Sequence, residues 1–162
     1  MPNMTTGAIE TAALAALGGQ NVPEGLAVEI AWACGWLESV GYPGLAMLAE
    51  ALETTPPQAR QPELSAQYGL VDTQNVSCVF IAPQLNQLAL QHRRIVLMQA
   101  QHGLYCLPFS VRGNYGIGCP VDPSFALGGE RDKNPYLEKL AKSAETGVEV
   151  AEETLSRLAK LS

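Results

Sequence analysis

Two side chains that could form an activated nucleophile lie near each other in the sequence. His102 and Cys106 flank a predicted turn, and a thiolate beside an imidazole is the simplest nucleophile that side chains can make. Cys119 follows a glycine-rich stretch and is the second candidate thiol. The competing interpretation is a core cysteine and an exposed turn histidine. His102, Cys106 and Cys119 are therefore weak catalytic candidates.

A second set of residues could bind an anion. His92-Arg93-Arg94 clusters positive charge before a predicted strand, and residues 111–119 (VRGNYGIGC) place an arginine beside three glycines. Guanidinium groups can hold a carboxylate or phosphate bidentately, and glycines allow a ligand to approach the backbone. Solvated arginines and a tight irregular loop are the alternatives. The ligand-binding residues predicted for a small anionic metabolite are Arg93, Arg94, Arg112, Gly116 and Gly118.

No metal or cofactor site is predicted. Structural zinc sites use ligand pairs two to four residues apart, and the four cysteines form no such pair. Two histidines are too few for an ordinary metal-dependent hydrolase. The sequence also lacks the G-x-S-x-G motif of many serine hydrolases and the GxxxxGK[ST] motif of phosphate-binding loops.

Charge restricts the class of partner. The chain has 162 residues and a net charge of −6, which argues against nucleic acid and against anionic membrane surfaces. The first 59 residues contain no Lys or Arg and carry six glutamates. That acidic third either serves solubility or docks a basic protein partner. Only 16% of residues are charged, which predicts that part of the surface is covered, either by self-association in a homodimer or by a partner subunit.

Location follows from signals that the sequence lacks. The N-terminus shows no basic region followed by an apolar run, and no apolar stretch reaches the length of a membrane span. Four cysteines without a pattern are typical of free thiols in a reducing compartment. We therefore expect a cytoplasmic protein.

The elements that must position these residues predict an α+β fold. An N-terminal helical hairpin and a long C-terminal helix would pack on a small, mostly antiparallel sheet. Residues 76–82 and a hairpin of 95–101 with 104–109 would supply strands, and a helix would lie between them. We expect one domain over 1–162, with a helical layer, a connection, a sheet region and a final helix at 5–53, 54–75, 76–127 and 134–160.

Two apolar surfaces could form the dimer interface. Trp32 and Trp36 lie four residues apart, on a helix face offset from its main apolar stripe. The predicted final helix carries a nearly heptad apolar seam. Both surfaces could instead pack inside the protomer, and the sequence leaves this open. The predicted interface residues are Trp32, Trp36, Leu140, Val148 and Leu155.

The helical hairpin carries a resemblance. Gly25-Leu26-Ala27, Trp36-Leu37 and Tyr42-Pro43-Gly44-Leu45-Ala46 resemble the N-terminal GLA…WL…PGLA signature of an uncharacterised bacterial family, a domain of unknown function. The resemblance covers roughly residues 7–53. It implies no established activity.

The same segment is similar, more distantly, to the N-terminus of the malate/L-lactate/ureidoglycolate dehydrogenase family. That family carries a motif that includes SHG-x-x-R, whose His and Arg serve the substrate. Here Pro43 stands at the His position and Met47 at the Arg position. Neither side chain can move a proton or pair with a carboxylate, so the resemblance implies that the dehydrogenase chemistry is missing.

Together these observations favour a non-catalytic binding or accessory subunit that forms a homodimer. They rest on the low charge content, the tryptophan helix, the seam of the last helix and the vacant dehydrogenase positions. The alternative is a small enzyme that acts on an anionic metabolite with a cysteine nucleophile.

Overall fold

The computed structural model describes residues 1–113, 117–118 and 136–162. Contacts within the chain define two compact units. The terminal unit comprises Met1–Pro57 and Pro135–Ser162, and the middle unit comprises Gln58–Asn134. The division at residues 57 and 58 falls inside the segment 54–75, where the prolines and the loss of periodicity predict a connection.

The terminal unit opens with three helices, α1 (Thr6–Gly19), α2 (Glu24–Ser39) and α3 (Gly44–Thr54). The Thr5 hydroxyl accepts the Ala8 N–H at 3.1 Å and so begins α1. These three helices lie where the sequence predicts a helical layer, over 5–53. Between α1 and α2, Asn21 has φ +60°, and α2 begins three residues later.

Helix α2 is buried on more than one side. Ile30, Cys34 and Leu37 are fully buried, and they form the stripe that the sequence predicts. Trp36 lies on the offset face and is 8% exposed, with its ring 5.1 Å from that of Tyr136 in an edge-to-face arrangement. Helix α2 packs against α1, α3 and a C-terminal helix, α6 (Leu137–Thr146), so it forms the centre of this unit.

The C-terminal segment contains helices α6 (Leu137–Thr146) and α7 (Glu152–Leu161), separated by strand β5 (Val148–Glu149). Strand β1 (Asn3–Met4) pairs with β5 antiparallel. The prediction of one continuous helix over 134–160 is therefore wrong at residues 147–151. Gly147 has φ +74°, and the Asn3 amide donates to the Thr146 carbonyl at 2.8 Å, which together end α6.

The middle unit alternates strands and helices. Its elements are β2 (Leu70–Asp72), α4 (Cys78–His92), β3 (Ile95–Met98), α5 (Cys106–Arg112) and β4 (Ile117–Gly118), with 3-10 turns at Pro57–Ala59, on the boundary, and at Gly103–Tyr105. The strands form one sheet in the order β2-β3-β4, and both pairs are parallel. Each pair is therefore joined by a crossover that contains a helix.

The α+β class is confirmed, but two details of the predicted sheet are wrong. The larger sheet is parallel, because the apolar run 76–82 belongs mostly to α4 and residues 104–109 form the 3-10 turn and α5. A short apolar run cannot be assigned to a buried helix or to a buried strand by periodicity alone. Phe80 and Ile81 are almost fully buried, so this part of α4 lacks an exposed face.

The parallel sheet is covered on one side. Val71, Ile95 and Leu97 are buried on the side that receives the helices. Leu70, Val96 and Met98 point to the other side and are 44%, 36% and 41% exposed. The register pairs Leu70 with Val96, so these side chains are neighbours on one exposed face.

Gly44 provides a test of the close approach between α2 and α3. A Cβ at this position would lie 2.7 Å from the Cys34 carbonyl oxygen, which belongs to rigid helix backbone. We expect Gly44→Ala to destabilise the protein by about 1–3 kcal/mol through overpacking. Chemical denaturation with urea, followed by circular dichroism, measures the change.

Gly25→Ala is the matched control, because a Cβ on Gly25, near the start of α2, has open space around it. Alanine there should stabilise the protein by about 0.5 kcal/mol. Equal effects of the two substitutions would contradict the tight α2–α3 contact.

Candidate functional site

The carboxyl ends of β2 and β3 lie at one edge of the sheet, because the strands are parallel and adjacent. The loops that follow them, residues 73–77 and 99–102, therefore meet at this edge. Ligands of open α/β sheets bind outside the carboxyl ends of the strands. We call these two loops the carboxyl-edge loops.

Hydrogen bonds hold the carboxyl-edge loops together. The Thr73 hydroxyl lies 3.0 Å from the Met98 carbonyl oxygen and 2.8 Å from that of Gln99. The Cys78 N–H donates to the Gln101 carbonyl at 2.9 Å. The two loops are thus one connected structure.

Left-handed backbone is concentrated in these loops. Gln74, Asn75, Gln99 and His102 have φ values of +57°, +60°, +58° and +54°. Such residues are uncommon outside glycine, and each costs free energy that the surrounding contacts must offset. Strain of this kind is typical of functional loops.

The loops bring together a serine and a histidine. Ser77 Oγ lies 2.7 Å from His102 Nδ1, and it also accepts the Val79 N–H at 3.2 Å as the cap of α4. Ser77 is 1% exposed, whereas His102 is partly exposed. Because the Val79 N–H occupies Oγ as a donor, the hydroxyl proton is directed to Nδ1 when the imidazole carries its own proton on Nε2.

The structure brings His102 to Ser77, a residue that the sequence does not single out. Cys106 begins α5 and is fully buried, as are Cys34 and Cys78. Cys119 lies outside the described residues. Ser77 is not predicted as a site residue because residues 76–82, which include it, are predicted to form a strand. Read as a helix, that run would identify Ser77 as an N-cap.

The arginines predicted to bind an anion lie elsewhere. Arg93 and Arg94 are exposed between α4 and β3, at the amino end of β3 rather than at the carboxyl edge. Arg112 ends α5, and its guanidinium carbon lies 5.2 Å from the centre of the Phe109 ring. Gly118 lies in β4 and pairs with Val96 of β3. Gly116 lies outside the described residues.

Among the predicted interface residues, Trp36 is mostly buried within its own unit. Its ring packs on Tyr136 and leaves 8% of the residue exposed. The others are partly exposed, and with α6 and α7 separate, the predicted seam is not a single helix face. These partly exposed residues are Trp32, Leu140, Val148 and Leu155.

The exposed face of the parallel sheet bears a shallow cavity of about 370 Å³. Tyr68 at its rim is 97% exposed, far more than any side chain predicted as interface. The residues that line the cavity are Ser65, Gln67, Tyr68, Leu70, Asp72 and Met98.

The terminal unit contains a separate open cavity of about 350 Å³ between the ends of α2 and α6. Glu38, Lys139 and Lys142 give it charges of both signs. The Ser143 hydroxyl donates to the Ser39 carbonyl at 2.6 Å and ties the two helices together beside it.

Burial raises the pKa of Glu38 above the ordinary glutamate value, and the Leu45 N–H, which donates to Oε1 at 2.9 Å, opposes this rise. Desolvation is the larger effect. The cavity therefore contains a carboxyl group that is unusually ready to hold a proton.

Comparisons with family models, with curated proteins and with solved structures give no match. The resemblance of residues 7–53 to an uncharacterised bacterial family stays a prediction, as do the dehydrogenase likeness and the cytoplasmic location. Across the described ranges, no helix is long and apolar enough to cross a membrane. Within the same ranges, no three His, Cys, Asp or Glu side chains are grouped to hold a metal ion.

Glu38→Gln tests the pKa shift through the pH dependence of stability. A carboxyl whose folded pKa is raised stabilises the fold below its unfolded pKa and loses that contribution as pH rises through the folded pKa. Relative to Glu38→Gln, the wild-type protein should therefore lose stability as pH rises from about 4.3, the ordinary glutamate pKa. Urea denaturation at several pH values measures the difference.

Glu50→Gln is the control, since Glu50 is an exposed residue of α3. It removes the same negative charge from the surface, so the difference between the two variants isolates the effect of burying Glu38. A constant gap between wild type and Glu38→Gln from pH 4 to pH 8 would contradict the shift.

Proposed function

We propose that this protein is a binding or accessory subunit that works as a homodimer. The sheet face, defined by Tyr68, Leu70, Val96 and Met98 with Arg94 and Asp72 at its ends, is the surface through which two copies associate. The observation that carries the proposal is a parallel sheet that the described chain covers on one side only.

Parallel sheets normally have both faces covered, because their crossovers bury them. The crossover helix α4 contacts β3 and β4 on the side where Val71, Ile95 and Leu97 are buried. The opposite side keeps an apolar cluster in contact with solvent, and exposed apolar patches typically mark interaction sites. A partner that covers this cluster would complete the sandwich that a parallel sheet requires.

Charge makes the sheet face complementary to itself. Asp72 ends β2 and is exposed at the carboxyl end of the face. Arg94 precedes β3, and strand alternation places it on the side of Val96 and Met98, at the amino end. A two-fold axis that packs two faces with their strands antiparallel puts each arginine over the partner's aspartate.

The cysteine-enzyme alternative receives less support. Cys106 is fully buried, and the arginines assigned to the anionic metabolite are distributed between the amino end of β3 and the end of α5. On the acidic helices, Glu53 pairs with Arg157 at 2.9 Å, so this glutamate is engaged within the chain.

A charge-swap series tests the dimer. Wild type should sediment near twice the monomer mass of 17.3 kDa, and Met98→Glu should give a monomer because it places a charge in the apolar centre. Arg94→Asp and Asp72→Arg should each raise the dimer dissociation constant by roughly tenfold, about 1.4 kcal/mol. The double variant should regain most of the affinity because the pair is restored in reverse. Sedimentation equilibrium gives the masses.

Arg93→Asp is the matched control, with the same charge change one residue away from Arg94 and outside the alternation. It should leave the dissociation constant nearly unchanged. Monomeric wild-type protein at micromolar concentration would overturn the proposal, as would a dimer indifferent to Met98→Glu. A double variant no tighter than the single ones would exclude the antiparallel arrangement.

A further inference from the structure

We propose that Ser77 is a nucleophile that accepts an acyl group, with His102 as its general base, at the carboxyl-edge loops of the middle unit. This activity goes beyond the proposed binding role and does not depend on the dimer. It rests on the 2.7 Å approach of Ser77 Oγ to His102 Nδ1, together with the position of the pair in the fold.

The geometry is that of a hydroxyl and its base. Heavy-atom distances of about 2.6–3.2 Å are required for proton transfer from a nucleophile to a base. The Val79 N–H donates to Ser77 Oγ, so one lone pair is engaged, and the hydroxyl proton points to Nδ1 in the tautomer that carries its own proton on Nε2. An ordinary capping serine needs only the backbone N–H, and the imidazole is an addition that capping does not explain.

The position of Ser77 also suits a developing negative charge. Ser77 directly precedes α4, a helix of 15 residues whose positive end faces the hydroxyl. Cys78 is the residue after the nucleophile, and its N–H donates to the Gln101 carbonyl. When that bond opens, the Cys78 N–H becomes a donor for an oxyanion.

Access runs past the imidazole. Ser77 is 1% exposed, but His102 is partly exposed, and Gln99 and Gln101 of the same loop are exposed. Gln99 and His102 both hold left-handed backbone. A rotation of the Gln101 carbonyl away from the Cys78 N–H, with His102 left in place, would open the hydroxyl to an acyl donor.

The reaction balances with water as the only further reactant. Ser77 Oγ forms a bond to the carbonyl carbon of an ester while its proton passes to His102 Nδ1. The bond from that carbon to the leaving oxygen then breaks, and the imidazolium returns the proton to that oxygen. Water, activated by the same imidazole, later cleaves the acyl-serine and restores the hydroxyl.

Labelling with diisopropyl fluorophosphate tests the nucleophile directly, since serine displaces fluoride and keeps the phosphoryl group. Peptide mass spectrometry of the full-length folded protein should find one adduct, on Ser77. His102→Gln should slow labelling by at least about 100-fold, the contribution of a general base. Release of nitrophenolate from p-nitrophenyl acetate should show the same dependence.

Two variants separate chemistry from folding. Ser77→Asn keeps an N-cap acceptor for α4 and removes the nucleophile, so it should stay folded and unlabelled. Ser110→Ala is the matched control, because Ser110 is also 1% exposed but its hydroxyl has no hydrogen-bond partner in the described chain. Its removal should leave the labelling rate unchanged.

Absence of an adduct on the folded wild-type protein would overturn the proposal. So would an adduct on another serine, or equal labelling of wild type and His102→Gln. None of these outcomes bears on the dimer, and repeating the measurement on Met98→Glu, outside both carboxyl-edge loops, shows that the adduct forms on the monomer as well.

Discussion

The hydrogen bond from the Val79 N–H to the Ser77 hydroxyl is the constraint on which the middle unit depends. It starts α4 inside an apolar run that would otherwise be equally suited to a strand. Because the run becomes a helix, the chain crosses over and β3 lies parallel to β2. The parallel arrangement then places two loops at one edge and leaves one face of the sheet exposed. Both the exposed sheet face and the Ser77–His102 pair therefore depend on this one capping interaction.

The three N-terminal helices, α1 to α3, could be predicted because the residues that begin and end them lie close to those boundaries in the sequence. Gly18-Gly19, Gly41 and the capping Thr5 lie within a few residues of the boundaries they mark. The order of strands in the middle unit could not, since it depends on pairing between residues such as Leu70 and Val96 that are distant in sequence. Gly147 shows the intermediate case: its weakening of the final helix is visible in the sequence, but the pairing of Val148 with Met4 that completes the break is not.

Only His102 of the candidate pair could be predicted from the sequence. His102 attracts attention as one of two histidines, but its partner Ser77 is 25 residues away and comes near only through the crossover. Ser77 has no G-x-S-x-G motif around it, because it lies in a loop that caps α4. The arginines that are close in sequence to the glycine-rich stretch or to β3 do not form one site. Arg93 and Arg94 precede β3 and Arg112 ends α5, and the topology does not place these positions at the carboxyl edge.

The complete burial of the described cysteines gives the protein internal reporters of its own opening. Cys34 belongs to the terminal unit, and Cys78 and Cys106 belong to the middle unit. A buried thiol reacts with solvent reagents only when its surroundings open, so its rate of modification measures local unfolding. The rates at which the cysteines of the two units are modified therefore distinguish a chain that unfolds in one step from one whose units open separately.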